Sequence, residues 1–392
     1  MKVLHVIGSL APRDGGPTVA IHGMAPALAA LGHEVTIATT NADGPRETLD
    51  VPVDSPVRAH GVTYHYFERT VDGSWGLSLP LARWLTLHAG DFDVIEVHGL
   101  FVFATIAGCR AARQAGVPYI VRPLGMLDPW SLRQHAWKKQ PYVRFIERRH
   151  LANAAAIHVT SESEADGVRS LGFGDRVHVI PLGVSAVAPT RQRAASTGDT
   201  KLLFLSRLHP KKNLPLLLEA LRDARNRGAR LTLTVAGSGT AAYRAELERT
   251  VKDLGLDDVV RFVGQVQGAD KDALLAAADA FVLLSSQENF GIAVAEALAV
   301  GLPVVISDQV ALAPDVQAEG AGLVVPIDAG AAADALVTID ANPERRLEMG
   351  RRATQLVGEK YSWDRTARAL ADLFTTLVPG AAKLRRTDPV PA

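Results

Sequence analysis

Short runs rich in Val, Ile and Leu alternate along the chain with longer stretches whose apolar residues recur at helical spacing. That alternation predicts strands joined by helical crossovers, which build parallel sheets flanked by helices. In the first half the strands fall near 2–7, 34–39, 62–66, 94–97, 119–121, 156–160 and 177–180. Several of these runs are apolar throughout, as strands are when helices cover both faces of a sheet; a half-exposed antiparallel sheet would alternate apolar with polar positions. From 186 to 200 Pro, Arg, Ser, Gly and Asp occur without any apolar period, and the stretch reads as a linker. The alternation restarts near 201–205, 231–236, 259–263, 280–284, 303–306 and 322–325, and helices from about Asn342 onward close the chain. The predicted domains are 1–185 and 200–361. No tandem repeat of short period interrupts them, and the tail after Gly380 reads as disordered.

Length agrees with two domains, because 392 residues exceed what one ordinary core encloses. Hydrophobic residues at 47% and charged residues at 21% place the chain among globular rather than disordered proteins. Formal net charge is zero, so no overall field draws it to nucleic acid. The single cysteine, Cys109, excludes an intramolecular disulfide and fits a reducing compartment; its thiol reads as a small buried apolar group on a helix. Met1 to Ile7 runs straight into a strand without the apolar core and cleavage site of a signal peptide, so no export is expected. The longest apolar stretch, 291–307, contains Glu296 and is broken by Gly301 and Pro303, which makes it a helix followed by a strand and not a membrane span. The expected location is the cytoplasm.

Three segments carry chemistry. After the first strand, Asp14-Gly15-Gly16-Pro17 leads into a helix; the glycine pair lets backbone N–H groups approach an anion, and Pro17 suits the first helical turn, where partial positive charge collects. The segment is either a phosphate site or an ordinary glycine turn. In the second half, strand 202–205 runs into Ser206-Arg207-Leu208-His209-Pro210-Lys211-Lys212-Asn213. Arg207 and Lys212 then lie at the carboxyl end of a parallel strand, where open α/β sheets bind ligands, and a guanidinium grips a diphosphate with two parallel bonds. Solvated charges are the alternative. The third segment, 285–298, holds Glu288 before a helix and Glu296 within it. Eight residues of helix rise about 12 Å, too far for the carboxylate pair of a glycoside hydrolase, whose members sit roughly 5–5.5 or 6.5–9.5 Å apart. Such a spacing suits the two ends of an elongated ligand. Glu296 lies among Ala and Val on both sides, so it is expected to be buried with a polar partner.

Three other patterns fall away. Gly237-Ser238-Gly239 fits a relaxed dinucleotide fingerprint but lacks the acid at the end of the next strand. Asp91-Phe92-Asp93 precedes a strand, where ligands do not collect, so it reads as a capped loop and not a metal-holding pair. The 12 histidines show no paired ligand spacing, so no metal site is expected.

From the Gly15-Gly16 loop to Tyr361-Ser362-Trp363, and most specifically over Glu288 to Glu296, the chain resembles the group-1 family of retaining glycosyltransferases. That resemblance implies an α/β protein of GT-B architecture, with two Rossmann-like domains, each with a mostly parallel sheet, and a cleft between them. It assigns Arg207 and Lys212 to the donor diphosphate, Glu288 to the transferred sugar, and Glu296 to the nucleotide ribose. The backbone of Asn289, Phe290 and Gly291 faces sugar or phosphate oxygens, and Gly15 and Gly16 contact the donor. His98, in Val94-Ile95-Glu96-Val97-His98-Gly99, is placed beside the reacting face of the sugar. Ser206 and Asn213 stand where the family usually has glycine, and Leu182 where it usually has Asn, which leaves the loop conformation and the donor choice open. A closing helix at about 362–378 is expected to pack back on the first domain.

The implied activity is retaining, metal-independent transfer of a hexose-type sugar from a nucleotide sugar to an acceptor hydroxyl. The implied acceptor is a lipid-linked saccharide in surface or exopolysaccharide biosynthesis, and no cofactor is needed beyond the donor. Two alternatives share the fold: a nucleotide-sugar 2-epimerase and a non-catalytic nucleotide-sugar binding protein. Between 133 and 149 six basic residues (Arg133, Lys138, Lys139, Arg144, Arg148, Arg149) stand against one acid, Glu147, interleaved with Trp137, Tyr142 and Phe145. That is either a solvated helix face or a peripheral contact with anionic lipid, and the resemblance favours the lipid. The oligomeric state is left open.

Overall fold

A computed structural model describes residues 1–128, 132, 136–185 and 198–378. Most of the 186–200 linker, the tail after Gly380 and Arg133 of the basic segment lie outside the described residues, as do the side chains of Lys138 and Lys139. The chain forms two compact units: Met1–Gly183 together with the chain from Trp363 on, and Val184–Ser362.

In the first unit the strands are β1 (Lys2–Ser9), β2 (Glu34–Thr40), β3 (Ala42–Asp43), β4 (Glu47–Thr48), β5 (Val57–Ala59), β6 (Val62–Phe67), β7 (Val94–His98), β8 (Tyr119–Arg122), β9 (Ala156–Val159) and β10 (Val177–Val179). Eight of them make one sheet in the order β10-β9-β8-β7-β1-β2-β6-β5. All neighbours run parallel except β5, which is antiparallel to β6. β3 and β4 form a separate small hairpin. One face of the sheet, through Val3, Val35, Val94, Ile120 and Ala156, packs on Ile21, Met24 and Leu28 of the helix Gly16–Ala30 and on Leu370 and Phe374 of the helix Trp363–Leu377. The other face, through Leu4, Val6, Ile95, Val97 and Val121, packs on the helices Leu79–His88 and Phe103–Ala115. Burial on both faces is why the predicted runs are apolar throughout. Gly23 permits the close fit of the two helices on the first face, because a Cβ there would collide with the Trp363 ring.

The second unit holds β11 (Thr200–Leu205), β12 (Leu231–Ala236), β13 (Val260–Gly264), β14 (Ala280–Leu283), β15 (Val304–Ser307) and β16 (Gly322–Val325), ordered β13-β12-β11-β14-β15-β16 and all parallel. From β11 the chain winds outward one way and from β14 the other. The strand order therefore reverses between β11 and β14, the position at which open parallel sheets receive ligands beyond their carboxyl ends. Among the described residues no helix is long and apolar enough to cross a membrane.

Candidate active site

The turns after β11 and β14 meet at that reversal. Ser286 N donates to Lys211 O at 2.8 Å, which ties the two turns together. Arg207 lies two residues past the end of β11; it is exposed and enters no ion pair among the described residues. Pro210–Lys212 form a single 3-10 turn that carries Lys212 back toward the sheet, where it is buried and ion-paired with Glu288. Ser285 Oγ donates to the same Glu288 oxygen at 3.3 Å. The next residue, Asn213, has φ 55° and opens the helix Leu214–Asn226. A left-handed residue is needed here, which explains why glycine is usual in the resembling family and why asparagine, the most tolerant non-glycine, replaces it.

Glu288 is fixed by its own backbone: its N–H donates to Gln309 O at 3.0 Å and its carbonyl accepts from Ala311 N at 3.1 Å. Phe290 turns inward, edge-to-face on Tyr361 at 5.5 Å, so it offers the site backbone and not its ring. Gly291, at φ 90°, ends the turn and caps the helix Ile292–Ala299. A Cβ on Gly291 would stand 3.3 Å from Glu288 Cγ. Because the helix begins only at Ile292, Glu288 to Glu296 is a turn followed by just over one helical turn; the rise of eight helical residues assumed from the sequence does not apply. The two carboxylates nevertheless have separate partners. Glu296 is largely buried and accepts from Lys271 Nζ at 2.7 Å, the polar partner its apolar surroundings called for. Lys271, on the helix Gly268–Ala277, was not singled out from the sequence, where it looks like any solvated lysine.

The Gly237-Ser238-Gly239 segment is structural. A Cβ on Gly237 or Gly239 would collide with the backbone of Ser206 or Leu208, and Leu208 N donates to Ser238 O at 2.8 Å. These glycines let the turn that carries Arg207 run along the end of β12.

In the first unit, Gly15 (φ 66°, ψ −116°) caps the helix Gly16–Ala30, and Pro17 occupies its first turn. Nothing lies within 4 Å of a Cβ built on Gly15, so its backbone is open on that side. His98 ends β7 with its ring enclosed, only 1% exposed. His98 Nε2 lies 3.0 Å from His5 Nδ1, and Glu96 receives His158 Nδ1 at 2.7 Å and lies 3.3 Å from His5 Nδ1. Burial pushes the His98 ring well below the ordinary imidazole range and keeps it neutral. Burial alone would raise Glu96, but the surrounding imidazoles outweigh it and hold the carboxylate well below its usual range. His5, Glu96 and His98 bring one ligand atom each within 4.8 Å of one another, a grouping from two strands that linear spacing conceals. Of the three, only His5 and His98 are at hydrogen-bond distance; Glu96 Oε2 lies 3.3 Å from His5 Nδ1 and 4.0 Å from His98 Nε2, and the Arg122 guanidinium adds positive charge nearby.

The described part of the basic segment has an outer face of Arg144, Arg148 and Arg149 with Trp137 and Phe145, 75% and 72% exposed. Its one acid, Glu147, is buried and accepts from Phe101 N at 2.7 Å.

Comparison with known proteins gives this arrangement a family. Residues 189–356 match the model for glycosyl transferases group 1, and residues 15–183 match the glycosyl transferase 4-like domain. The chain is 30% identical to D-inositol 3-phosphate glycosyltransferase 2 of Catenulispora acidiphila, over 95% of this chain and 92% of that one. It is 28% identical, over 99% of both chains, to the GDP-mannose-dependent alpha-(1-6)-phosphatidylinositol dimannoside mannosyltransferase of Mycobacterium tuberculosis. Among solved structures, HepE of Anabaena in complex with UDP and glucose superposes with a TM-score of 0.76 at 20% identity, covering 96% of this chain and all of that one. Sucrose-phosphate synthase from Thermosynechococcus elongatus gives 0.79 at 23%, covering 96% and 99%. With both halves matched and full-length relatives at this identity, the chain belongs to the group 1 glycosyl transferases, which move a sugar from a nucleotide-sugar donor, and it has their GT-B fold.

Proposed function

We propose that this protein is a retaining, metal-independent hexosyltransferase that passes a hexose from a nucleoside diphosphate to a hydroxyl of a lipid-linked saccharide in surface or exopolysaccharide assembly. The observation that carries this reading is the Lys212–Glu288 ion pair at the strand-order reversal of the second sheet, with the Arg207 guanidinium on the same turn as Lys212. The second unit is the donor domain in this reading. Arg207 and Lys212 take the diphosphate and Glu288 the sugar, while the backbone of Asn289, Phe290 and Gly291 faces donor oxygens. Glu296 takes the ribose, with Lys271 orienting its carboxylate. The first unit serves the acceptor, with Gly15 and Gly16 offering amides to phosphate oxygens and His98 standing at the acceptor side.

As the bond from the anomeric carbon to the diphosphate breaks, negative charge grows on the departing oxygen. Cations already in position stabilise that charge without solvent reorganisation, the task a divalent ion performs elsewhere. No side chain in the assigned set is required as a covalent nucleophile. The acceptor hydroxyl therefore attacks from the face the diphosphate leaves, and its proton passes to the departing phosphate oxygen.

Support for a lipid-carried acceptor comes from two sources. Relatives at 28% and 25% identity are named for phosphatidylinositol dimannoside and cellobiosyl-diphosphopolyprenol acceptors. The exposed Trp137 and Phe145 beside Arg144, Arg148 and Arg149 suit peripheral contact with the anionic inner leaflet, where each well-placed cation adds about 1 kcal/mol. A thermal-shift panel of GDP, UDP and ADP tests the reading: one nucleotide at about 100 times its Kd adds about 2.7 kcal/mol, and no shift with any of the three would contradict it. Nuclear magnetic resonance of the product formed from the matching donor then reads the anomeric configuration, and an inverted product would refute retention.

A further inference from the structure

The loops that follow β7 and β8 in the first unit are strained in matching ways. Phe101, at φ 61°, and Leu124, at φ 59°, are two of four non-glycine residues with positive φ among the described residues. Such strain persists only where the surroundings over-determine it, and it gathers at ligand sites. Each strained loop is clamped by a buried carboxylate. Glu147 Oε1 accepts Phe101 N at 2.7 Å, and Glu164 Oε1 accepts Gly125 N at 2.6 Å while its other oxygen accepts Thr160 N at 2.9 Å. Glu147 belongs to a π-helical stretch, Val143–Glu147, a feature frequent at functional sites. The loops also hold each other, since Leu100 N donates to Met126 Sδ at 3.2 Å and Gly99 N to Arg122 O at 2.8 Å.

Between the loops sits Arg122, the last residue of β8 and the register partner of His98. It is 2% exposed, its Nε has no hydrogen-bond partner, and its guanidinium enters no ion pair among the described residues. Glu164 is bonded by Gly125 and Thr160 and Glu96 Oε1 by His158; the two carboxylates offset the Arg122 charge through space, but no hydrogen bond or ion pair joins either to the guanidinium among the described residues. A buried guanidinium with an unused donor is costly unless an acceptor arrives to take it. It stands at the carboxyl edge of a parallel sheet, where ligands bind, and its planar fork matches two oxygens of a phosphoryl group.

We propose that Arg122 is an anion-binding residue of the first unit that takes a phosphoryl group of the acceptor, with Glu147 and Glu164 as positioning residues that hold the two loops around it. The identity of the ligand as acceptor rests on the transfer reading above; the phosphoryl site itself does not. The site is closed in this structure, and the strain at Phe101 and Leu124 lowers the cost of opening the loops to admit the ligand.

The test follows amide exchange of residues 99–102 and 124–128 in the full chain during titration with inorganic phosphate. The parent is the R207A/K212A double variant, so that donor-side cations do not compete for the anion. Phosphate is expected to protect both loops, with R122Q in that background binding about tenfold or more weakly, as loss of a charge-assisted pair requires. R122K keeps the charge and guards against a folding failure; binding weaker than the parent is expected, because an ammonium cannot grip two oxygens. Unaltered phosphate response in R122Q or R122K, or no response in the parent, overturns the proposal. Glycerol 1-phosphate against phosphatidylcholine vesicles with and without phosphatidylinositol separates a soluble from a lipid-borne phosphate; protection by either supports the site. GDP and UDP binding to wild type and to R122Q, measured in parallel, keeps the two readings apart. Loop protection without nucleotide binding fails the transfer reading alone, and nucleotide binding without loop protection fails Arg122 alone.

Discussion

The Lys212 ammonium and the Glu288 carboxylate are ion-paired across the two central turns of the second unit, both largely buried. Each neutralises the other, so on the proposed assignment removing the carboxylate leaves an uncompensated cation facing the donor. E288A is therefore expected to bind nucleoside diphosphate at least as tightly as wild type and yet to turn over about 10²–10³-fold more slowly, the loss typical of one preorganised group. Calorimetric titration paired with initial rates checks this. Weakened binding together with an unchanged rate would assign Glu288 a purely structural role.

Lys271 holds Glu296 from a neighbouring helix at 2.7 Å. If that carboxylate takes the ribose, E296A raises the donor KM more than it lowers kcat, and K271A does the same to a smaller extent. The double variant should show a coupling of about 0.5–3 kcal/mol between the two sites, the range for residues in direct contact. Additive effects would remove Lys271 from the donor site.

The fit of Trp363 on Gly23 joins the closing helix to the first unit. Even a methyl group at position 23 must displace the indole, so G23A is expected to cost about 1–3 kcal/mol, as overpacking does, read from denaturant unfolding. The G23A/W363L double variant should recover part of that loss. A G23A midpoint equal to wild type would show that the ring relocates freely.

The strands were legible because burial on both faces leaves uninterrupted apolar runs such as Leu202 to Leu205 and Val304 to Ile306. β5, Val57–Ala59, was not, since three residues with a central Arg make no such run and owe their conformation to pairing with β6. Arg207, Lys212 and Glu288 were legible because each stands just past a strand in a short polar turn. The Lys271–Glu296 pair and the His5, Glu96, His98 and His158 cluster were hidden, because their members come from separate elements that only the sheet order brings together. Glu147 was counted as the one acid of a basic surface; burial removes it from that surface altogether.

Tyr361 joins Asp315 to the turn that holds Glu288, since its ring packs on Phe290 while its hydroxyl and Lys360 Nζ both donate to the Asp315 carboxylate. Burial would raise the Asp315 pKa, but those two donors outweigh it and hold it below the ordinary carboxylate range. A depressed carboxylate contributes stability above its unfolded pKa, about 3.9, and loses it as pH falls through the folded value. D315N is therefore expected to be less stable than wild type at neutral pH, with the gap closing in acid below about pH 4. Chemical unfolding across that range measures it; a gap that stays constant would mean the carboxylate charge plays no part.

In the proposed transfer, cations after β11 accept the diphosphate. The most direct test is the Kd of wild type and R207A for a nucleoside diphosphate and for the same nucleoside without phosphates. A hydrogen bond to a charged group contributes about 1.5–3 kcal/mol, so R207A should weaken the diphosphate roughly 10–100-fold and leave the nucleoside unchanged. Equal diphosphate affinity in the two proteins would contradict the account.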